Sequence, residues 1–182
     1  MSKSPELGVC YYPEHWPEEM WITDAENMHK NGISWVRIAE FAWSRIEPSS
    51  GVFDWNWLDK IVDILGNNGL KIVMCTPTAT PPKWLVDQMP DMVAIDENGQ
   101  ARKFGSRRHY SFSHIGYQKE SQRITKAIAE RYGQNNFVKA WQTDNEFGCH
   151  ETTYSWCLSA LREFRIWLKK KYQNIDDLNK SW

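Results

Sequence analysis

The sequence predicts an α/β fold built on a parallel sheet, and three observations carry that prediction. Short apolar strands alternate with amphipathic helices in the order β-α-β-α-β-α-β-α. Strands joined through helices pair in parallel by right-handed crossovers. The residues with chemical potential gather directly after the strands, where α/β folds place function.

Residues 7–11 form a short apolar run and read as the first strand. A helix is predicted over 17–31: Pro17 suits its start, Trp21, Ala25 and Met28 have helical spacing, and Gly32 stops it. Residues 34–38 are the second strand. The stripe Leu58, Ile61, Val62 and Leu65 predicts a helix over 55–67, closed near Gly69. Residues 71–75 are the third strand. A long connection follows, broken by Pro77, Pro81, Pro82 and Pro90, with a short helix expected over 83–88. A helix over 118–132 turns Ile124, Ala127 and Ile128 inward and stops at Gly133; residues 137–142 are the fourth strand. A last helix is expected over 154–172, carrying Leu158, Leu161, Phe164, Ile166 and Leu168.

Composition narrows the function classes. The 22 Lys and Arg nearly balance 23 Asp and Glu, giving a net charge of −1. A chain without a dominant basic block is a poor nucleic-acid binder. The one basic run, Lys169-Lys170-Lys171, sits late in a helix, where cations suit the dipole. No stretch reaches the roughly 18 apolar residues of a membrane span. The polar N-terminus lacks an apolar signal core, so the expectation is a cytoplasmic protein with no membrane partner. Cys10, Cys75, Cys149 and Cys157 are too few and scattered for a disulfide scaffold. Trp is abundant, 11 of 182 residues, as in large cores, interfaces and sugar-binding clefts, where indole faces receive C–H groups.

Two architectures share this element order: an open doubly wound sheet and a β/α barrel. A closed barrel takes about 250 residues, so this chain suits a small open sheet or the first half of a barrel. The strand ends weigh against a nucleotide site. They run into Tyr12-Pro13-Glu14-His15-Trp16, Ala39-Glu40-Phe41-Ala42-Trp43, Thr76-Pro77-Thr78-Ala79-Thr80 and Thr143-Asp144-Asn145-Glu146-Phe147-Gly148, and none is a glycine-rich phosphate loop. Aromatics, carboxylates and an amide suit a sugar: indole faces hold the ring, Asn and Arg hold hydroxyls, and a carboxyl moves the proton.

Three segments make the chain resemble a known family. Tyr11-Tyr12-Pro13-Glu14-His15-Trp16, Arg37-Ile38-Ala39-Glu40-Phe41-Ala42-Trp43 and Trp141-Gln142-Thr143-Asp144-Asn145-Glu146-Phe147-Gly148-Cys149-His150 look like the β-galactosidases of glycoside hydrolase family 42. The resemblance covers nearly the whole chain. It implies an α/β fold of TIM-barrel type, a parallel (β/α) barrel of which this chain holds the first four β/α units only. Residues 1–6 are then a disordered N-terminus. Residues 7–182 are the N-terminal part of a (β/α)8 catalytic domain, cut before the strand that carries the nucleophile.

The resemblance also implies roles. Glu146 matches the general acid/base, Asn145 the residue that hydrogen-bonds the sugar 2-hydroxyl, Arg107 a substrate-binding Arg, and Arg37 a residue of the galactose subsite. Arg37 has a second reading, an ion pair with a strand-end acid such as Glu40. The implied substrate is a small β-galactoside, with no cofactor, and the full-length form is expected to be a homo-oligomer. Retaining hydrolysis needs two carboxyls about 5–5.5 Å apart. The acid/base carboxyl is helped by burial and a nearby negative charge, and Trp141 and Phe147 make partial burial of Glu146 an expectation. Glu14 and Glu40 are candidate substrate contacts or supporting groups. His15, His109 and His150 read mainly as packing or hydrogen-bonding residues. Trp16, Trp43, Trp84 and Trp141 are sugar platforms or core and rim residues.

One departure concerns zinc, which many family members hold through four cysteines. The matching positions here are Ser111, Ser155, Cys157 and Ala160. A structural zinc site wants four ligands, so no metal is expected, and Cys149 and His150 read as structural. A half-barrel also leaves strand edges open, which invites aggregation. The isolated chain is therefore expected to be poorly soluble and inactive. Two rivals stay open: another retaining barrel glycosidase, such as a β-glucosidase or β-mannanase, and a galactoside-binding or complementation fragment without chemistry.

Overall fold

The computed structural model describes residues 5–105, 108–149 and 154–182. Its elements run β1 (Leu7–Cys10), α1 (Trp21–Lys30), β2 (Ile33–Ile38), α2 (Trp43–Ile46), α3 (Asn56–Asn67), β3 (Lys71–Cys75), α4 (Lys83–Gln88), α5 (Ile115–Tyr132), β4 (Val138–Gln142), α6 (Leu158–Lys171) and α7 (Ile175–Ser181). The four strands form one parallel sheet in the order β1-β2-β3-β4. A doubly wound sheet reverses strand order at a switch point. This sheet never reverses, so each crossover adds the next strand on the same side, as in a β/α barrel.

Alternation divides the sheet into two faces. Val36, Ile38, Ile72 and Met74 are fully buried, and they meet the apolar stripes of α1, α3 and α5 in one core that includes Trp21, Leu58, Ile61, Leu65, Ile124 and Ile128. The intervening Trp35, Arg37 and Val73 are only partly covered. They line the opposite face, which in a closed barrel is the interior. At its lower end, Glu6 accepts hydrogen bonds from Lys71 Nζ (2.5 Å) and from the Trp35 indole.

Helix starts depart from the sequence expectation for local reasons. Pro17 is extended and is followed by a 3-10 turn over Glu18–Met20, so α1 begins at Trp21. α5 starts three residues early because His114 caps it, Nδ1 accepting from the Tyr117 N–H at 3.1 Å. Residues 154–157 are not helical. Ser155 Oγ accepts from the Ile95 N–H, the Trp156 N–H donates to the Ile95 carbonyl, and Cys157 caps α6. The stripe of α6 meets no core: Leu158 is 84% exposed, and Phe164 and Trp167 are exposed too.

Glu47 staples the helical layer. Its carboxylate, 0% exposed, accepts from the Trp43 indole (2.9 Å), the Gly51 N–H (2.7 Å) and Arg123 Nη2 (2.8 Å). It thus ties α2 and the following loop to α5.

Candidate functional site

The C-terminal rim of the sheet concentrates the backbone strain. Among the described residues, the non-glycine positions with left-handed φ are Ala39 (72°) after β2, Arg108 (52°) in the loop after β3, and Asp144 (56°) and Glu146 (49°) after β4. Such conformations persist where the surroundings over-determine them, and they gather at functional sites.

A continuous chain of polar contacts crosses the inner face at this rim. The Tyr12 hydroxyl donates to Glu40 Oε1, and Glu40 Oε2 lies 2.5 Å from Arg37 Nη2. Arg37 Nη1 donates to Gln142 Oε1 at 2.8 Å. Gln142 Nε2 donates to the Asp144 carbonyl (2.9 Å) and to Asn145 Oδ1 (3.3 Å). Arg37 and Asn145, 108 positions apart in the chain, are thereby joined through one amide. The ion pair with Glu40, the second reading of Arg37, is also present. Glu40 is buried and shared between Arg37 and Tyr12, which makes it a supporting group. Its carboxylate and burial raise the Tyr12 pKa, burial being the larger cause.

The loop after β3 braces the turn after β4 from behind. Asp144 accepts from the Thr78 hydroxyl (2.7 Å) and the Tyr110 hydroxyl (3.4 Å), and its N–H donates to Thr76 Oγ1 (2.7 Å). Arg108, almost fully buried, sets Nη2 3.2 Å from Asp144 Oδ1. Its guanidinium lies over the rings of Phe112 (5.9 Å) and Phe147 (5.5 Å). Burial pushes the Tyr110 and Tyr117 hydroxyls well above the ordinary tyrosine range, so both act as neutral hydrogen-bonding groups.

Asn145 is buried within this frame. Glu146 is exposed, and its carbonyl accepts from the Cys149 N–H at 3.1 Å. The expected partial burial of Glu146 does not occur. β4 is the sheet edge, Phe147 is itself 67% exposed and Trp141 40%, and no further strand among the described residues covers the turn. Arg107 and His150 lie outside the described residues. Of the candidate platforms, Trp43 is fully buried and serves the core, Trp84 donates to the Glu47 carbonyl (2.9 Å), and Trp16 and Trp141 stay exposed on the rim.

Glu14 is a strand-end carboxyl in an unusual environment. Both of its oxygens are buried without a hydrogen-bond partner among the described residues. Desolvation raises its pKa, against the pull of His15 and Arg45. Cys75, buried beside β2, has its thiol pushed up to about 12 by burial and by the Glu40 charge.

The zinc position of related proteins does not fit this chain. Ser111 is buried, Ser155 Oγ accepts from the Cys157 N–H at 3.3 Å, and Cys157 Sγ accepts from the Ala160 N–H at 3.5 Å. One thiol and two hydroxyls are a poor donor set for zinc, and the described residues include no cluster of three or more His, Cys, Asp or Glu able to hold a metal.

Gln142, Asp144, Arg108 and Thr78 belong to this arrangement and were not singled out from the sequence. Gln142 was the one that could have been found: it ends β4 at a position of the same parity as Ala140, whose register partner is Val73, the partner of Arg37. The other three depend on how the β3 loop folds back.

The model of the family described as β-galactosidase, glycoside hydrolase family 42, matches residues 10–182. A β-galactosidase of Thermus thermophilus is 51% identical over 176 residues, covering 97% of this chain and 27% of that protein. The crystal structure of a β-galactosidase from the psychrophilic Marinomonas ef1 superposes with a TM-score of 0.96 at 53% identity, over 98% of this chain and 27% of that one. The β-galactosidase of the Antarctic haloarchaeon Halorubrum lacusprofundi gives a TM-score of 0.94 at 49% identity, with the same coverage. The chain thus spans about a quarter of the length of these relatives.

Proposed function

Since the chain belongs to the glycoside hydrolase family 42 β-galactosidases, we propose that it carries the acid/base half of a retaining active site for terminal β-D-galactose. Glu146 protonates the glycosidic oxygen as the bond to the anomeric carbon breaks. It then removes a proton from the water that releases the sugar. The nucleophilic carboxylate comes from a strand outside these four units. Asn145 holds the sugar 2-hydroxyl, and Arg37 and Arg107 hold the galactose ring. A retaining pair must approach to about 5–5.5 Å, so the strand bearing the nucleophile also covers the exposed carboxyl of Glu146. No cofactor enters this reading. The full-length form works in the cytoplasm as a homo-oligomer.

One observation carries the proposal: Arg37 on β2 and Asn145 after β4 converge on one strained rim through a shared amide. The test is hydrolysis of a nitrophenyl β-galactoside by the full-length protein and by residues 1–182 alone. The full-length protein turns over and loses about 10²–10⁴-fold in rate with Glu146→Gln, the span of acid/base catalysis. The 182-residue chain is inactive. Turnover by the short chain near the full-length rate, abolished by Glu146→Gln, would refute the half-site reading. A full-length protein that prefers glucosides or mannans would refute the galactose assignment.

A further inference from the structure

We infer that Gln142 is a positioning residue that fixes which end of the Asn145 amide faces the sugar, an inference resting on the galactosidase reading above. The argument is one of hydrogen-bond polarity. A guanidinium has donors only, so the group 2.8 Å from Arg37 Nη1 must be the Gln142 oxygen. A backbone carbonyl only accepts, so the group 2.9 Å from the Asp144 carbonyl must be the Gln142 amino group. The two neighbours fix the Gln142 amide independently and in the same sense. Its amino group then also faces Asn145, whose Oδ1 accepts at 3.3 Å. With that oxygen engaged, Asn145 offers a donor to the substrate, and the sugar hydroxyl it meets must accept.

The same amide ties three elements together. Arg37 is held on its other side by Glu40, which Tyr12 also bonds, so the orientation of Asn145 is anchored as far away as the loop after β1. The Asp144 carbonyl that fixes the sense of the Gln142 amide belongs to the first of the two left-handed residues in the turn. Gln142 touches no reacting atom in this account; it acts through Asn145.

Two substitutions in the full-length enzyme separate this role from simple packing. Gln142→Glu keeps an acceptor for Arg37 but removes the donor, so Asn145 turns its amino group toward residue 142 and shows its oxygen to the sugar. Gln142→Met removes both contacts without adding charge, and guards against failure of the charged variant to fold. Each is expected to lower kcat/KM on a nitrophenyl β-galactoside by about 10- to 100-fold, as loss of an orienting contact does. The 2-deoxy-galactoside should lose less than about threefold, because the bond that Asn145 makes is already missing. In an Asn145→Ala background both substitutions should be nearly silent. Equal losses on the two substrates, undiminished losses in the Asn145→Ala background, or no loss at all would each overturn the inference. A parent enzyme without activity on either galactoside overturns the galactosidase reading and this inference with it; an active parent indifferent to Gln142 overturns the inference alone.

Discussion

Glu47→Gln is expected to be among the most damaging conservative changes in this chain. The parent carboxylate is fully buried and accepts from Trp43, Gly51 and Arg123. The amide keeps the volume but has one acceptor where the carboxylate has two. Either the Trp43 indole N–H or the Gly51 N–H must then face an amino group. Stranding one buried donor costs about 1–3 kcal/mol, and losing the charge on the remaining bonds costs about 1 kcal/mol more. Arg123 is 35% exposed and recovers part of its loss from water, so the expected total is about 2–4 kcal/mol. The control is Lys60→Met, which breaks the Glu18–Lys60 pair. That pair is shorter, at 2.6 Å, but its side chains are 47% and 54% exposed, and such pairs are worth about 0.2–1 kcal/mol. Urea denaturation followed by tryptophan fluorescence gives both values. If Glu47→Gln lost no more stability than Lys60→Met, burial would not be the deciding quantity and the reasoning would fail.

Two further outcomes follow from the strand-end groups. Glu14 has its folded pKa raised by desolvation, so the folded state holds its proton more tightly than the unfolded state, and stability falls as pH rises out of the usual carboxylate range; Glu14→Gln should therefore be more stable than the parent at pH 8, with the gap closing toward pH 4, and a gap that widened on acidification would contradict the assignment. Cys10 is exposed, whereas the Cys75 thiol is buried and pushed up to about 12, so at pH 8 only about one Cys75 in 10⁴ is thiolate; an aromatic disulfide reagent should label Cys10 in the native protein and Cys75 only after denaturation, as peptide mapping would show.

The legible parts of this fold were those whose cause is local. β3 and the short helix α4 fall where the apolar run and the prolines put them. The ends of α1 and α6 were displaced because a 3-10 turn after Pro17 and the pairing of residues 155–156 with Ile95 decide them, and the second of these joins positions about 60 apart. The choice between an open sheet and a barrel needed strand order, which periodicity does not contain. At the site, the motif after β4 pointed to Asn145 and Glu146. The exposure of Glu146 follows from β4 being an edge, a property of the assembly rather than of residues 141–148. Arg37 carried two readings, and the geometry shows the ion pair with Glu40; because a guanidinium has several donors, it also reaches Gln142 at the end of β4.

The bond from Arg37 to Gln142 reaches from the second strand to the fourth, passing over the third. Neighbouring strands lie about 4.8 Å apart, so in a flat sheet these two backbones would be separated by roughly twice that distance. A side chain from each, meeting above the strand between them, acts as a chord across an arc and favours curvature toward the side it occupies. The curvature of the inner face is thus favoured by the same contact that fixes the Gln142 amide.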